Sequence, residues 1–514
     1  MKAPSKTIHT TYKKLHKWPG LIVSFLLLYY SITGIIMNHR ETFSSLDVSR
    51  AYLPSEFEYR NWNNGALKGS LTIGRDSILV YGSIGIWVTD STYQNYRSLN
   101  RGFANGSDNQ KIFDMDRDPD GNLYAATQFG LYGYDQAGEQ WLAIGMDGAN
   151  ERVVGIEHVL DTIYVMNRSH LFKGKAKGKA TQLERVELGM SDHHEKKVSL
   201  FSTIWQIHSG EIFGIPGKLF VDGLGVVTII LSITGIVYFL FPGWIRRRKQ
   251  RQQSAASLVA INRWSIKWHN KGGAWFFGFL VVLFLSGMFL RPPLLIGIAY
   301  AKVPPIKFTN LDQPNPWHDQ LRDFKYDAER DRFVVASADG LFQMDKDGDS
   351  PEFFGVQPPV SVMGINVLEP FRDGAYLVGS FSGLFLWHPS HPEIYNYAEG
   401  KLHEGVGRGR PVGDYKVTGL LTAPDGKRYL VEYDKGVVPL HHEDEFPQMP
   451  DHIVSASKMS LWNLSLEIHT GRFFRFLLGD FFILLVPLTG LVSIVVVLSG
   501  YLLWRKRFRK PKGC

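Results

Sequence analysis

Seventeen histidines are spread over the 514 residues, and four of them stand where metal chemistry is expected. His16, in Leu15-His16-Lys17-Trp18, and His269, in Trp268-His269-Asn270-Lys271, each precede an apolar run with a glycine near its end, Gly34 and Gly287. His208 and His469 lie in matching segments, WQIHSGEIFG and LEIHTGRFFR. Each segment comes ahead of a second apolar run that ends in Trp244 or Trp504 and a basic cluster. A lone histidine beside a membrane span is usually an interfacial residue, but repetition changes that reading. In a parallel duplication, equivalent residues near the pseudo-two-fold axis face each other. His16 is then expected to meet His269 at one depth, and His208 to meet His469 at another. Imidazole pairs without thiolate or carboxylate partners suit axial ligation of b-type haem, which needs no covalent attachment through cysteine. Zinc would want four ligands in one cluster. The expected cofactor is therefore haem b, two per chain, with iron held by His16, His269, His208 and His469.

His39 is a further candidate for the outer site. It lies 23 residues beyond His16, about 34 Å along a helix, so the two cannot share a metal. It has no symmetry mate, because Arg291-Pro292-Pro293 stands at the corresponding place. Arg472, Arg475 and Lys218 are candidates to meet haem propionates, with interfacial anchoring as the alternative. Gly20, Gly34, Gly210, Gly214, Gly217, Gly273, Gly278 and Gly471 would let a macrocycle approach the backbone; ordinary small-residue helix packing is the competing reading. The clusters His193-His194-Glu195 and His441-His442-Glu443-Asp444-Glu445, and the separate His388, His391 and His403, read as solvated surface.

These residues need membrane helices to position them. Four stretches, 19–38, 223–244, 273–291 and 481–504, are long and apolar enough to cross a bilayer. The resulting division is 1–38, the N-terminus and first span; 39–222, the first large insert; 223–244, the second span; and 245–272, a basic loop. The third span (273–291), the second insert (292–480), and the fourth span with its tail (481–514) complete the chain. Segments 1–18, 245–272 and 505–514 hold 19 basic residues and no acid, whereas the remainder is net acidic. Such a bias fixes these flanks in the cytoplasm. The expected location is thus the inner membrane, with both termini cytoplasmic and both inserts periplasmic. The pI of 9.2 comes from membrane anchors and gives no sign of a nucleic-acid partner. The first span reads as an uncleaved anchor, since no small-residue cleavage site follows it. The single cysteine, Cys514, excludes a disulfide framework and a thiolate metal site.

The inserts repeat as well. Strand-turn-strand units occur at 76–90, 121–135 and 161–175, then at 331–345, 374–388 and 426–440. Their spacing is that of propeller blades, and PDGNLYAATQFGLYGYD resembles the two-component regulator propeller repeat. The fold class expected is an α-helical membrane protein with four transmembrane helices from an internal duplication. An extracytoplasmic β domain accompanies them, expected as a propeller with three blades from each half. Two separate β domains are the competing arrangement.

At the membrane segments the chain resembles the PepSY-associated transmembrane family. The resemblance rests on Leu15-His16 to Gly20, Thr33-Gly34, His208-Ser209-Gly210, Thr234-Gly235, Trp244, His469-Thr470-Gly471, Thr489-Gly490 and Trp504. It covers about a quarter of the chain. It implies haem, an inner-membrane location and reductase activity, since members include di-haem reductases of ferric siderophores. Electrons would pass from a quinol or cytoplasmic reductase to an extracytoplasmic acceptor, a ferric complex by resemblance. No nucleotide-binding unit is built in: GVGRGR at 405–410 is not in a strand-turn-helix context. The alternative function is a non-redox membrane sensor or assembly factor that binds a ligand or partner through the propeller.

Overall fold

The computed structural model describes residues 4–146, 151–190, 196–404 and 412–508. Cys514, the His193-His194-Glu195 cluster and the 405–410 loop lie outside the described residues. The chain divides into a helical unit, residues 1–43, 196–313 and 461–514, and a β unit, residues 44–195 and 314–460.

Among the described residues of the helical unit, three stretches are long and apolar enough to cross a membrane: Thr10–Asn38, Glu211–Gln250 and Arg472–Lys506. The remaining apolar run is divided between the helices Ala256–Trp275 and Phe277–Phe289, which meet at a bend of 70°. Two consecutive glycines, Gly272 and Gly273, sit just before that break, where the backbone lacks side-chain support. Helix Pro4–Asn38 packs on Gly214–Gln250 and on Leu485–Phe508. The bent pair does the same, Ala256–Trp275 on Gly214–Gln250 and Phe277–Phe289 on Leu485–Phe508. Each odd-numbered segment is thus flanked by both even-numbered ones.

Two short helices carry the HSG and HTG sequences, and both belong to the helical unit. Leu200–Ser209 packs on Phe277–Phe289, and Leu461–His469 packs on Pro4–Asn38. Ser199 caps the first of them by accepting from the backbone N–H of Ser202. Each ends in a left-handed glycine, Gly210 (φ 82°) and Gly471 (φ 79°), the conformation that closes a helix and reverses the chain. The turn therefore falls at these glycines rather than at Pro216, which lies inside helix Gly214–Gln250. Because the chain folds back, His208 and His469 are not carried away from the apolar segments as a continuous helix would carry them.

The described residues of the β unit form six antiparallel meanders, spanning residues 67–98, 112–144, 153–186, 321–353, 365–402 and 417–440, and a short pair, Asp47–Val48 with Met459–Ser460. The six repeated units supply the second and third strands of these sheets, for example Ser77–Gly82 with Gly85–Thr89 and Tyr376–Ser380 with Gly383–Trp387. A hydrophobic cluster lies between each sheet and the next. A further cluster joins the sixth sheet to the first through Trp62, Val80, Val431 and Phe446. The first strands follow the same sequence of neighbours, Leu67–Gly74 meeting both Ile112–Arg117 and Val417–Thr422.

Those first strands bring charge into the interior. Lys325 bridges Glu157 at 2.8 Å and Asp114 at 3.5 Å, and the Lys68 ammonium donates to the carbonyl of Asn366. Asp323 and Glu369 lie within electrostatic reach of both lysines. Burial pushes the Glu157 and Asp323 carboxyls up to about 7. Burial alone would lower Lys325, but the surrounding carboxylates hold it well above its ordinary value.

Candidate histidine sites in the helical unit

The four repeated histidines come together in two pairs. The His16 and His269 rings have centroids 5.9 Å apart, with the planes inclined by 71°. The His208 and His469 rings are 6.1 Å apart and inclined by 60°. His16 and Gly34, the residue on which His469 rests, are separated by about five turns of one helix, or roughly 27 Å. This approaches the thickness of a bilayer's hydrocarbon core.

Each imidazole is seated on a glycine of a neighbouring helix. A Cβ at Gly500 would come within 2.6 Å of His16 Cε1, and one at Gly287 within 2.7 Å of His208 Cε1. At Gly235 and Gly34 the corresponding distances, to His269 and His469, are both 3.2 Å. At Gly500 and Gly287 an added carbon would displace the ring, and at Gly235 and Gly34 it would press on it.

The same helices fix which ring nitrogen is available. His16 Nδ1 donates to the Val496 carbonyl at 2.9 Å, His269 Nδ1 to Leu231 at 3.1 Å, and His208 Nδ1 to Leu283 at 3.0 Å. His469 Nδ1 lies 3.1 Å from Thr33 Oγ1. Thr33 gives its own proton to the backbone carbonyl of Tyr29, so it accepts from the ring. Ser286 and Thr234 stand in the same relation to His208 and His269, at 3.2 Å each. A histidine whose Nδ1–H is held this way presents Nε2 as the ligating nitrogen.

Every cradle is thus a hydroxyl residue followed by glycine: Thr33-Gly34, Thr234-Gly235, Ser286-Gly287 and Ser499-Gly500. Thr489-Gly490 is not among them. Gly490 packs on Met288 and the Phe284 carbonyl, just as Gly225 packs on Ile35 and the Ser31 carbonyl. The structural mate of Gly490 is therefore Gly225, and that of Gly235 is Gly500, about three helical turns farther on. The displacement arises because the chain from His469 to Gly500 is roughly one helical turn longer than that from His208 to Gly235. The extra length is taken up in the 3₁₀ segment Gly479–Leu484. Ser499-Gly500 escapes motif matching because the Thr-Gly upstream resembles its counterpart more closely. Matching the spacing of Gly225 and Gly235 to that of Gly490 and Gly500 recovers it.

His39, Lys218, Arg475 and Arg472 are each engaged with a carboxylate. His39 Nε2 contacts Asp222 Oδ2 at 2.7 Å, and Asn38 donates to the other oxygen of the same carboxylate at 2.9 Å. Lys218 faces Glu211 at 3.3 Å, Arg475 faces Asp480 at 3.8 Å, and Arg472 donates to Glu467 at 2.6 Å. In the β unit, His441 and His442 bond separate backbone carbonyls, those of Tyr397 and Arg428. Asp444 pairs with Lys427 at 2.8 Å. Among the described residues there is no group of three or more His, Cys, Asp or Glu able to hold a metal ion.

The extracellular domain of the BT4673 one component system from B. thetaiotaomicron is similar over 76% of this chain at 10% identity, with a TM-score of 0.34. The chain spans only 40% of that domain's length. The Mitotic Checkpoint Complex chain (78% of this chain and 91% of that one, 11% identity, TM-score 0.31) and the computationally designed Ika8 protein (74% and 97%, 9%, 0.27) are similar at the same level. At such scores these likenesses carry no argument. No curated protein matches the chain. The family model for the PepSY-associated TM region, by contrast, runs from residue 13 to residue 507, through all four histidines and both inserts. A match over nearly the whole chain shows its lineage: the chain is a membrane protein of the PepSY-associated TM family.

Proposed function

We propose that this protein carries electrons between the two faces of the inner membrane through two b-type haems, one held by His16 and His269 and the other by His208 and His469. The observation that carries this reading is the pairing of histidines across the duplication, each ring seated on a glycine with Nδ1 bonded to the helix. Two metal–imidazole bonds of about 2 Å, together with the half-width of each ring, put ring centres roughly 6 Å apart, and both pairs have that spacing. Bound haem supplies the one-electron couple. The chain's own part is to fix the tautomer of each ligand, hold the rings at the distance of an axial pair, and clear backbone space beside them.

In this reading the bent pair Ala256–Trp275 and Phe277–Phe289 is one span, the third of four, and the basic flanks lie in the cytoplasm. The six meanders form one six-bladed propeller on the periplasmic side, which the cluster joining the first and sixth sheets supports. The electron donor is a quinol or a cytoplasmic reductase. The acceptor is extracytoplasmic, with a ferric siderophore complex the leading candidate by family resemblance. Protein purified from haem-replete cells should be red, with a b-type reduced-minus-oxidised spectrum and two haems per chain on extraction. Colourless protein would overturn the reading in favour of a non-redox sensor or assembly factor.

A further inference from the structure

Beside the outer histidine pair the two halves differ in charge. The first half ends its span in Asn38 and His39, both bonded to Asp222. The second half has Arg291 at the place of Asn38, about one helical turn beyond the glycine on which His208 rests. Arg472, three residues after His469, approaches from another segment of the chain. Arg291 lies within electrostatic reach of Arg472, Glu467 and Tyr30, and the Tyr30 ring is 5.6 Å from that of His469. Among the described residues a single carboxylate, Glu467, faces the two guanidinium groups. The Nε atoms of Arg291 and Arg472 are both buried and lack a hydrogen-bond partner among the described residues. Two half-buried cations that share one acid and carry unused donors are a costly arrangement by themselves. An added carboxylate relieves both the charge and the unmet hydrogen bonds.

We propose that Arg291 and Arg472 form a carboxylate clamp that holds the propionates of the haem at the His208/His469 site. The inference rests on the two-haem reading and adds to it that the outer site selects its haem by the ring's acidic edge as well as by iron ligation. Arg291 is the principal residue, because its counterpart in the first half is an uncharged amide already engaged with Asp222.

The full-length chain carrying His16→Ala, so that only the outer pair remains, is stripped of haem in detergent. It is then titrated with haem b or with haem b dimethyl ester, in which both propionates are uncharged. Binding and ligation are followed by the optical spectrum. The intact clamp should bind the free acid about tenfold more tightly than the ester, the scale of one lost charge-assisted pair. Arg291→Gln together with Arg472→Gln should reduce that preference to less than twofold while the bis-imidazole spectrum is kept, and Arg291→Lys should restore part of it. Equal affinity for acid and ester in the parent removes the clamp and leaves the haem reading standing, and this outcome needs no arginine variant to fold. An undiminished preference in the double variant has the same meaning. A parent that takes up neither form, from a chain that is also colourless without the His16 substitution, removes the two-haem reading itself.

Discussion

The first and second halves of the helical unit agree at the histidines and disagree just beyond them. Ligand positions, hydroxyl-glycine cradles and left-handed turns after HSG and HTG are all duplicated. The outer flank is not, being a neutral amide and a histidine on Asp222 in one half and, in the other, Arg472 on Glu467 with Arg291 within electrostatic reach of both. In the proposed reading, the features that would meet the two equivalent axial faces are duplicated, and those that would meet the acidic edge have diverged. This contrast fits a cofactor with equivalent axial faces and an asymmetric edge.

The largest effect should come from the ligands. His16→Ala or His269→Ala is expected to remove one haem and leave the other, and His208→Ala or His469→Ala should do the reverse. His39→Ala should keep both, because its ring is committed to Asp222. Haem stoichiometry across the five variants decides this; emptying of the outer site by His39→Ala would break the equivalence of the halves. Next in size are the cradles. Gly500→Ala and Gly287→Ala should weaken haem retention more than Gly235→Ala and Gly34→Ala, since the added carbon meets the ring at 2.6 and 2.7 Å rather than 3.2 Å. A gap of about tenfold in haem dissociation rate, on the scale of 1–2 kcal/mol of overpacking, is expected between the two groups.

A smaller effect tests the halves where they share charge in the β unit. Glu157 comes from the first half and its partner Lys325 from the second. The carboxyl titrates near 7 in the folded state and near 4.5 when unfolded, so the folded state binds this proton more tightly. Stability should therefore fall as pH rises from about 5 to about 8, by on the order of 2 kcal/mol for this group. Asp323 adds to the same trend. Glu157→Gln should flatten the decline in thermal melting of the β signal over that window; an unchanged slope would mean that Glu157 does not titrate there. The smallest effect is expected from the hydroxyls. Ser286→Ala leaves His208 bonded to the Leu283 carbonyl, so the outer haem should stay, with a shift in its potential corresponding to about 1 kcal/mol or less.

Much of this was legible from the sequence because duplication writes each important residue twice. The histidine pairs and the paired strands of the six sheets follow from self-similarity alone. What stayed hidden has physical reasons. The first strands of the sheets, such as Ile112–Arg117 and Leu321–Asp327, fall outside the repeated apolar units because they carry Asp114, Asp323 and Lys325, whose burial depends on their mutual interaction. Ser499-Gly500 was masked by the better-looking Thr489-Gly490. Arg291 read only as the absence of a partner for His39. Nor does the sequence pattern single out which residue reverses the chain after His208: Gly210 does so, whereas the nearby Pro216 is tolerated at the start of the following helix.

The cradles also connect the halves in a crossed way. His16 rests on Gly500, His269 on Gly235, His208 on Gly287 and His469 on Gly34. Every ring is supported by the opposite half, and every pair takes one ring from each. A single-length ancestor with this geometry would have had no site of its own and would have worked only as a two-fold dimer of identical chains. Joining the two copies in one chain allows them to differ, and the arginines of the second half are such a difference. The arrangement also makes the chain a natural split protein: severed in the turn between helices Gly214–Gln250 and Ala256–Trp275, each fragment alone should be inert, and the two produced together should complement each other.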